Sequence, residues 1–281
     1  MTFVDKYVKE ILQLEVRLFH AKARLEASYD TEALHDLRIA IRRIRSLLVP
    51  VRDVHVLDDL REAAAQVGRL TTPARDREVM TDELESRGLP VAAGRRREAL
   101  KADYAEILGH PNMANLFACL DQWPSMFRST EPGNDEAALV RLVVKALTKH
   151  VDKLHRALND EAFDLHELRI LVKRTRYLTE AFPELSPLSI KAAKSLKVVQ
   201  SALGSWHDHH QWCLRAQTEP DLKELEPVWA RASVGELEQA AQELQHLKQL
   251  LPKITTKSQK PKLKVSARQA RYRTPRSDLI I

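Results

Sequence analysis

The chain has 281 residues, with 45 lysines and arginines against 39 acidic residues and a formal net charge of +6. It holds only seven glycines and 5% aromatic residues among many Leu, Ala, Glu, Lys and Arg, a composition that favours α-helices. No apolar run is long enough to span a membrane, the first residues lack the apolar core of a secretory signal, and the two cysteines, Cys119 and Cys213, are isolated, so a cytoplasmic protein without a membrane segment is expected.

Apolar residues at three- and four-residue steps predict helices along almost the whole chain, so the predicted fold class is all-α. The turn-forming cluster at 130–135 separates a first half, 1–130, from a second half, 136–251, of one domain. The helices are predicted at 3–28, from a cap at Asp30 or Thr31 to 49, at 55–71 and 73–88, as two within 90–127, and at 136–158, 165–182, 188–203, 222–232 and 234–251.

The last segment, 252–281, has a different composition. It carries nine lysines and arginines, one acidic residue and no apolar period, so we expect a disordered basic extension. Either it holds a polyanion such as nucleic acid, or it only adds solubility. Without it the chain has 36 basic and 38 acidic residues, so the function of 1–251 depends on where its cations lie.

One stretch occurs twice. The letters L-H-D-L-R-I-A-I-R-R-I-R begin at Leu34, and L-H-E-L-R-I-L-V-K-R-T-R begin at Leu165, with no insertion or deletion between the copies. A repeat separated by almost half the chain indicates two copies of a half-domain. As a helix, each copy has one apolar face and a neighbouring stripe of cations, about 100° further round. The stripes are His35, Arg38, Arg42 and Arg45, and His166, Arg169, Lys173 and Arg176.

No acidic residue interrupts either row of cations between its first and last arginine. A helix that needed only solubility would gain from mixing Glu among its Arg residues as i,i+4 pairs. A single row could be a solvated charged face, but its duplication favours an anionic ligand. Each histidine, near the start of its helix, either donates to the anion or only completes hydrogen bonds of the first turn.

The pattern H-x-x-R-x-x-x-[RK]-R-x-R, on a helix and in two copies half a chain apart, resembles the CHAD family (conserved histidine α-helical domain). The resemblance covers about 1–251. It implies two pseudo-symmetric, four-helix-bundle-like units with extra helices around a basic central groove. It also implies binding of inorganic polyphosphate, in some members at polyphosphate granules. Arginine forks and lysine charges on both walls suit such a chain of phosphates, so the eight stripe residues are its expected contacts.

Further cations are expected around this groove. The junction at 203–208, L-G-S-W-H-D, resembles a family motif more closely than 70–76 does, because 70–76 keeps the Arg-Asp pair but lacks the glycine. Ser205 with Asp208 also resembles a capping box, which predicts a helix start there. The further contacts are Lys22, Arg75, Lys153, Lys191, Lys194, Lys197 and His207.

Two alternatives stay open. A general polyanion- or nucleic-acid-binding protein is the first, supported mainly by the basic extension. The second is a metal-dependent phosphohydrolase using His207, His209 and His210, but on a helix His209 points away from the other two, and the repeat places Arg75 at the position of His207. Neither a P-loop nor G-x-S-x-G occurs, so no metal, cofactor or catalysis is expected.

Overall fold

The computed structural model describes residues 1–28 and 30–252, and every regular element in this part of the chain is a helix, which confirms the all-α fold class. No helix among these residues is both long and apolar enough to cross a membrane. Apart from Pro252, the predicted basic extension lies outside the described residues. The α-helices are α1 (Phe3–Glu26), α2 (Ala33–Leu47), α3 (Asp58–Leu70), α4 (Thr72–Ser86), α5 (Pro90–Gly109), α6 (Pro111–Arg128), α7 (Glu131–Asn134), α8 (Glu136–Ala157), α9 (Leu165–Ala181), α10 (Ile190–Ala216) and α11 (Glu226–Leu250).

The largest apolar cluster draws on both halves of the chain. The apolar face of α2 is fully buried against α1, with Leu34, Leu37 and Ile44 at 0% exposure. Residues of α8 and α9, such as Leu147 and Leu178, belong to the same cluster. The burial of these side chains fixes the orientation of α2, because its apolar stripe can face inward in only one rotation. The neighbouring cationic stripe of α2 therefore lies at the edge of the apolar core, between the buried face and the exposed face.

A second contact joins the two halves through α4 and α5 on one side and α10 and α11 on the other. Trp229 is completely buried here among apolar side chains such as Met80, and its Nε1 donates to Glu83 Oε1 at 2.9 Å. Arg96 is also buried and donates to Glu219 and Asp221 at 2.5 and 2.7 Å. A buried arginine with two carboxylate partners is costly to separate, so this contact holds α5 against the segment that follows α10.

The two repeated helices begin differently. Asp164 caps α9 by accepting from the backbone N–H of Glu167 at 2.8 Å. The predicted cap of α2 at Asp30 or Thr31 is wrong, because Glu32 precedes the helix and its side chain makes no capping hydrogen bond. Asp30 accepts two hydrogen bonds from Arg24, both at 2.8 Å, and one from the backbone N–H of Glu32 at 2.9 Å, ahead of the first helical residue.

Two of the predicted helix breaks in the second half, after 203 and at 233, are wrong. Helix α10 runs unbroken through 203–208, so the capping box at Ser205 does not form, and Ser189 caps the helix instead at 3.1 Å from the N–H of Ala192. The first half does break between α3 and α4, where Pro73 stands in the first turn of α4. The second half has no proline at its junction, and an interior glycine costs a helix only about 1 kcal/mol. The same reasoning explains why α11 continues through Gly235.

Gly133 in α7 lies where no side chain fits. A Cβ atom built on it would overlap the backbone carbonyl of Phe127, which cannot rotate away. We expect Gly133→Ala to lower the free energy of unfolding by about 3 kcal/mol or more, measured by urea denaturation. Gly94→Ala is the matched control, since its Cβ would enter open space inside α5 and should stabilise by about 0.5–1 kcal/mol. Equal stability of the Gly133→Ala variant and the wild type would contradict the packing.

Candidate functional site

The two repeated helices, α2 and α9, pack against each other. The contact includes an aromatic ring between their cationic stripes: the guanidinium carbons of Arg42 and Arg176 lie 4.7 and 5.1 Å from the ring centroid of Tyr177. A guanidinium over an aromatic face is attracted by the ring quadrupole, which helps to hold like charges near one another. The two stripes, although far apart in sequence, are thus neighbours in the fold.

The two stripes converge at Lys173. Its partial burial, and then the positive charges of Arg169, Arg42, Arg38 and Arg45, lower its pKa to about 8. Three of these four arginines belong to α2, so the charges of the α2 stripe act on the ammonium group of Lys173 on α9. We refer to Arg38, Arg42, Arg45, Arg169 and Lys173 as the cation cluster.

Arg38 is the most firmly positioned member of the cation cluster. Its Nη1 donates to the hydroxyls of Thr71 and Thr72 at 2.7 and 3.2 Å and to the carbonyl of Gly68 at 3.2 Å. All three acceptors belong to the α3–α4 junction, so this junction orients the guanidinium. Gly68 also lies close to Arg45, since a Cβ on it would be 3.3 Å from Arg45 Nη1. A small residue at this point therefore lets both arginines lie against α3.

The positive charges of the cation cluster are not offset by ion pairs in the described part of the chain. Among the residues that the structure describes, none of its five side chains forms an ion pair with a carboxylate within 4.0 Å. Arg43, on another face of α2, does pair with Glu10 at 2.8 Å. Arg176 likewise pairs with Glu180 and donates to Gln200, both at 2.7 Å. Four of the five cations are half-buried and Arg45 is exposed. Adjacent cations without a close counter-ion among the described residues form a strong attractor for an anion.

Two carboxylates border the cation cluster, Asp76 on α4 and Asp208 on α10. Reduced hydration raises the pKa of each, and the positive charges nearby oppose the rise, above all Arg38 for Asp76 and Arg169 for Asp208. Arg215 on α10 also acts on Asp76. Neither aspartate is predicted as part of the site from the sequence, where Asp76 is a motif letter and Asp208 a motif letter and capping-box residue. Arg215 is not predicted either, since it has no basic counterpart at the equivalent place in the first half.

The two repeated histidines differ in their surroundings. The ring centroid of His166, which is exposed in the first turn of α9, lies 5.5 Å from that of His207 on α10. Burial, and then the charges of Arg169, His166, His210 and Lys173 in that order, lower the pKa of His207 to about 4. His166 and His207 therefore stand at the edge of the cation cluster. His35 is half-buried in the first turn of α2.

The further cations lie at varying distances from the cluster. Arg75 is nearby, since its charge acts on the pKa of Arg38, and it donates to Glu78 at 2.8 Å. Lys22 pairs with Glu26 on its own helix, and Lys153 is exposed on α8.

The three lysines at the start of α10 lie past the end of the cluster. Helices α9 and α10 run antiparallel, because Arg176 contacts Gln200 while the earlier Arg169 acts on the later Asp208. A lysine ten residues before His207 is therefore about 15 Å from it along the helix, beyond Arg176. All three are exposed: Lys191, Lys194 and Lys197.

The histidines considered for a metal-dependent enzyme, His207 and His209, contact different helices. His209 Nδ1 lies 2.7 Å from Glu236 Oε2 on α11, whereas His207 contacts His166 on α9. Within 1–28 and 30–252, no three His, Cys, Asp or Glu side chains are placed to hold a metal ion.

Comparisons with known proteins identify the family. A family model described as the CHAD domain matches residues 10–217. The fold is similar to the crystal structure of the CHAD domain from the plant Ricinus communis, at 22% identity and a TM-score of 0.61 over 91% of this chain and 93% of that one. It is also similar to PptA from Streptomyces chartreusis, at 18% identity and a TM-score of 0.58 over 89% of this chain and all of that one. No match is found among the curated proteins. The likeness to the two structures concerns the fold, and the match to the family model, which spans most of the chain, shows that the protein belongs to the CHAD domain family.

Proposed function

We propose that this protein binds inorganic polyphosphate at the cation cluster. The observation that carries the proposal is that both cationic stripes meet around Tyr177 and Lys173, with no carboxylate of residues 1–28 and 30–252 in ion-pair contact with the cluster. Polyphosphate has about one negative charge per phosphate and no shape apart from its flexible chain. A row of adjacent cations from two helices matches such a ligand, since successive phosphates could each meet a different side chain.

The members of the cluster offer two kinds of contact. Each arginine presents a planar fork of N–H donors, which suits two oxygens of a phosphate group, and Lys173 adds a compact charge between the two stripes. Arg38 needs little reorganisation, because the α3–α4 junction already holds one of its nitrogens. Positioned donors save the entropy that free side chains would lose on binding. Chain phosphates beyond the cluster could extend toward Lys194 and Lys197.

The proposed role is binding without cleavage. Guanidinium groups donate hydrogen bonds and do not accept protons at neutral pH, so four of the five cluster residues are unsuited to acid–base catalysis. We further propose that the protein works in the cytoplasm, where it associates with polyphosphate, including polyphosphate in granules.

The alternative, a general polyanion- or nucleic-acid-binding protein, makes a different prediction. In calorimetry of the full chain at about 0.15 M salt, we expect long-chain polyphosphate to bind much more tightly than duplex DNA of matched charge. Deleting 252–281 removes nine cations and should reduce polyphosphate affinity only a few-fold, mainly at low salt. Equal affinity for DNA would favour the alternative, with the cation cluster as a general polyanion surface. Loss of polyphosphate binding on deletion would instead mean that the site lies in the extension.

A further inference from the structure

Aromatic rings line one side of α10 where it passes the cation cluster. The rings of Trp206 and His210 are nearly parallel, with centroids 5.9 Å apart and an interplanar angle of 13°. His207 lies 6.2 Å from Trp206 and 5.5 Å from His166 on α9. The four rings form a continuous surface from α9 to α10, which we call the ring platform.

The apolar core does not account for this surface. Trp206 is half-buried and belongs to none of the three apolar clusters among the described residues. Trp212, two turns further along α10, shows the contrast, because it packs on the buried Trp229 with ring centroids 5.4 Å apart. His210 is exposed beside Trp206. The indole face is thus supported from one side and open to solvent in part.

The ring platform adjoins the cation cluster. His207 is close enough to Arg169 and Lys173 for their charges to act on its titration. A phosphate chain held by those two cations would end beside the rings. Phosphate groups have no π-face, so a site for inorganic polyphosphate alone has no use for an open indole. Purine and pyrimidine rings stack on such surfaces regardless of their sequence.

We infer that the ring platform is a base-stacking subsite, so that the protein also binds nucleoside polyphosphates, with the phosphate chain on the cation cluster and the base on Trp206. The inference rests on the proposed function, because it places the phosphates at the same cations. His207 is uncharged at pH 7, its pKa being about 4, and a neutral imidazole offers one donor and one acceptor to a base edge. His210 supports the indole from the side as its parallel neighbour.

The test compares ATP with ribose 5-triphosphate, which has the same sugar and phosphates but no base. Both are titrated by calorimetry into the full chain without divalent cations, alongside long-chain polyphosphate. We expect ATP to bind at least about fivefold more tightly than ribose 5-triphosphate. This gain is the low end of what one base stacked on an aromatic side chain contributes in single-strand-binding proteins. Trp206→Leu should abolish that difference while leaving polyphosphate affinity within about twofold, and Trp206→Phe should restore part of it. Indole fluorescence should fall on ATP binding in the wild type and not in either variant.

The outcomes separate the two proposals. Equal affinities for ATP and ribose 5-triphosphate, with tight polyphosphate binding, would overturn the base-stacking subsite and leave the proposed function intact. A base-dependent gain that persists in a folded Trp206→Leu variant would also overturn it. If neither triphosphate nor polyphosphate binds, the cation cluster is not a phosphate site and both proposals fail.

Discussion

Replacing Arg38 and Arg169 together by alanine is expected to weaken the binding of long-chain polyphosphate by about 100-fold at about 0.15 M salt. The two residues hold equivalent positions in the two copies of the motif, and both lie at the cation cluster. Each forms charge-assisted hydrogen bonds with the ligand in this proposal, and such bonds contribute about 1.5–3 kcal/mol each. The measurement is calorimetric titration of the double variant beside the wild type.

The matched control removes the same charge elsewhere. Arg43 and Arg141 are exposed arginines that pair with Glu10 and Asp135, and their double alanine variant should lose only a few-fold in affinity. Circular dichroism and urea denaturation check folding, since Arg38→Ala also removes hydrogen bonds to the α3–α4 junction. Equal losses of affinity in the two double variants would show that net charge, and not the cation cluster, determines binding.

The spacing of the sequence repeat predicted on which side of each repeated helix the cations lie. Residues at equivalent positions of the two copies, such as Arg42 and Lys173, can be paired by inspection, and each follows a buried apolar stripe. The spacing is informative because the apolar stripe of a helix determines which way its polar stripe is directed. What the repeat could not give was the distance between the two copies, which depends on how α2 and α9 pack.

Local rules failed where the two halves diverge. The junctions at Thr72-Pro73 and Gly204-Ser205 resemble each other in sequence, yet only the first ends a helix, because only proline enforces the stop. The cation rows also differ in ways that spacing does not reveal. Arg176 is paired with Glu180 on its own helix, whereas its counterpart Arg45 has no such partner four residues on, where Val49 stands. Arg176 should therefore contribute less to binding than Arg45.

The partners of the cluster from other helices were hardest to predict. Asp208 and Arg215 come from a helix that joins the site through antiparallel packing on α9, and no spacing rule connects them to Arg38. Nothing in the sequence distinguishes Trp206 from an ordinary helical residue. Its position near the site follows from the structure, in which its neighbour His207 lies close to Arg169. The contribution of such residues to the site depends on tertiary contacts, which cannot be predicted from the periodicity of a single sequence.

Lys173 should make polyphosphate binding depend on pH in a particular direction. Its pKa is about 8 in the free protein, because burial and the surrounding arginines disfavour the charged form. A bound polyanion favours the charged form and raises the pKa toward the ordinary value of a lysine. Binding is therefore tightest below pH 8 and weakens as pH rises through 8, until the pKa of the bound state is passed. Between pH 7 and pH 10 we expect a loss of about tenfold or more, since one unit of pKa shift corresponds to a factor of ten.

The same change should appear as proton uptake. At pH 8 about half of the free molecules carry a neutral Lys173, so binding should take up about half a proton per site. Calorimetry in two buffers of different ionisation enthalpy measures this number directly. His207 contributes little at this pH, because its pKa is about 4.

Lys173→Arg is the matched variant for both measurements. A guanidinium keeps its charge throughout this range, so the variant should still bind polyphosphate but show little proton uptake at pH 8 and a nearly flat affinity from pH 7 to pH 10. Lys173→Met tests the charge itself and should bind more weakly at pH 7, with an affinity that no longer falls at higher pH. Proton uptake that is the same in the wild type and in Lys173→Arg would mean that another group titrates on binding. In that case the point where the two cationic stripes meet is not where the phosphate chain lies.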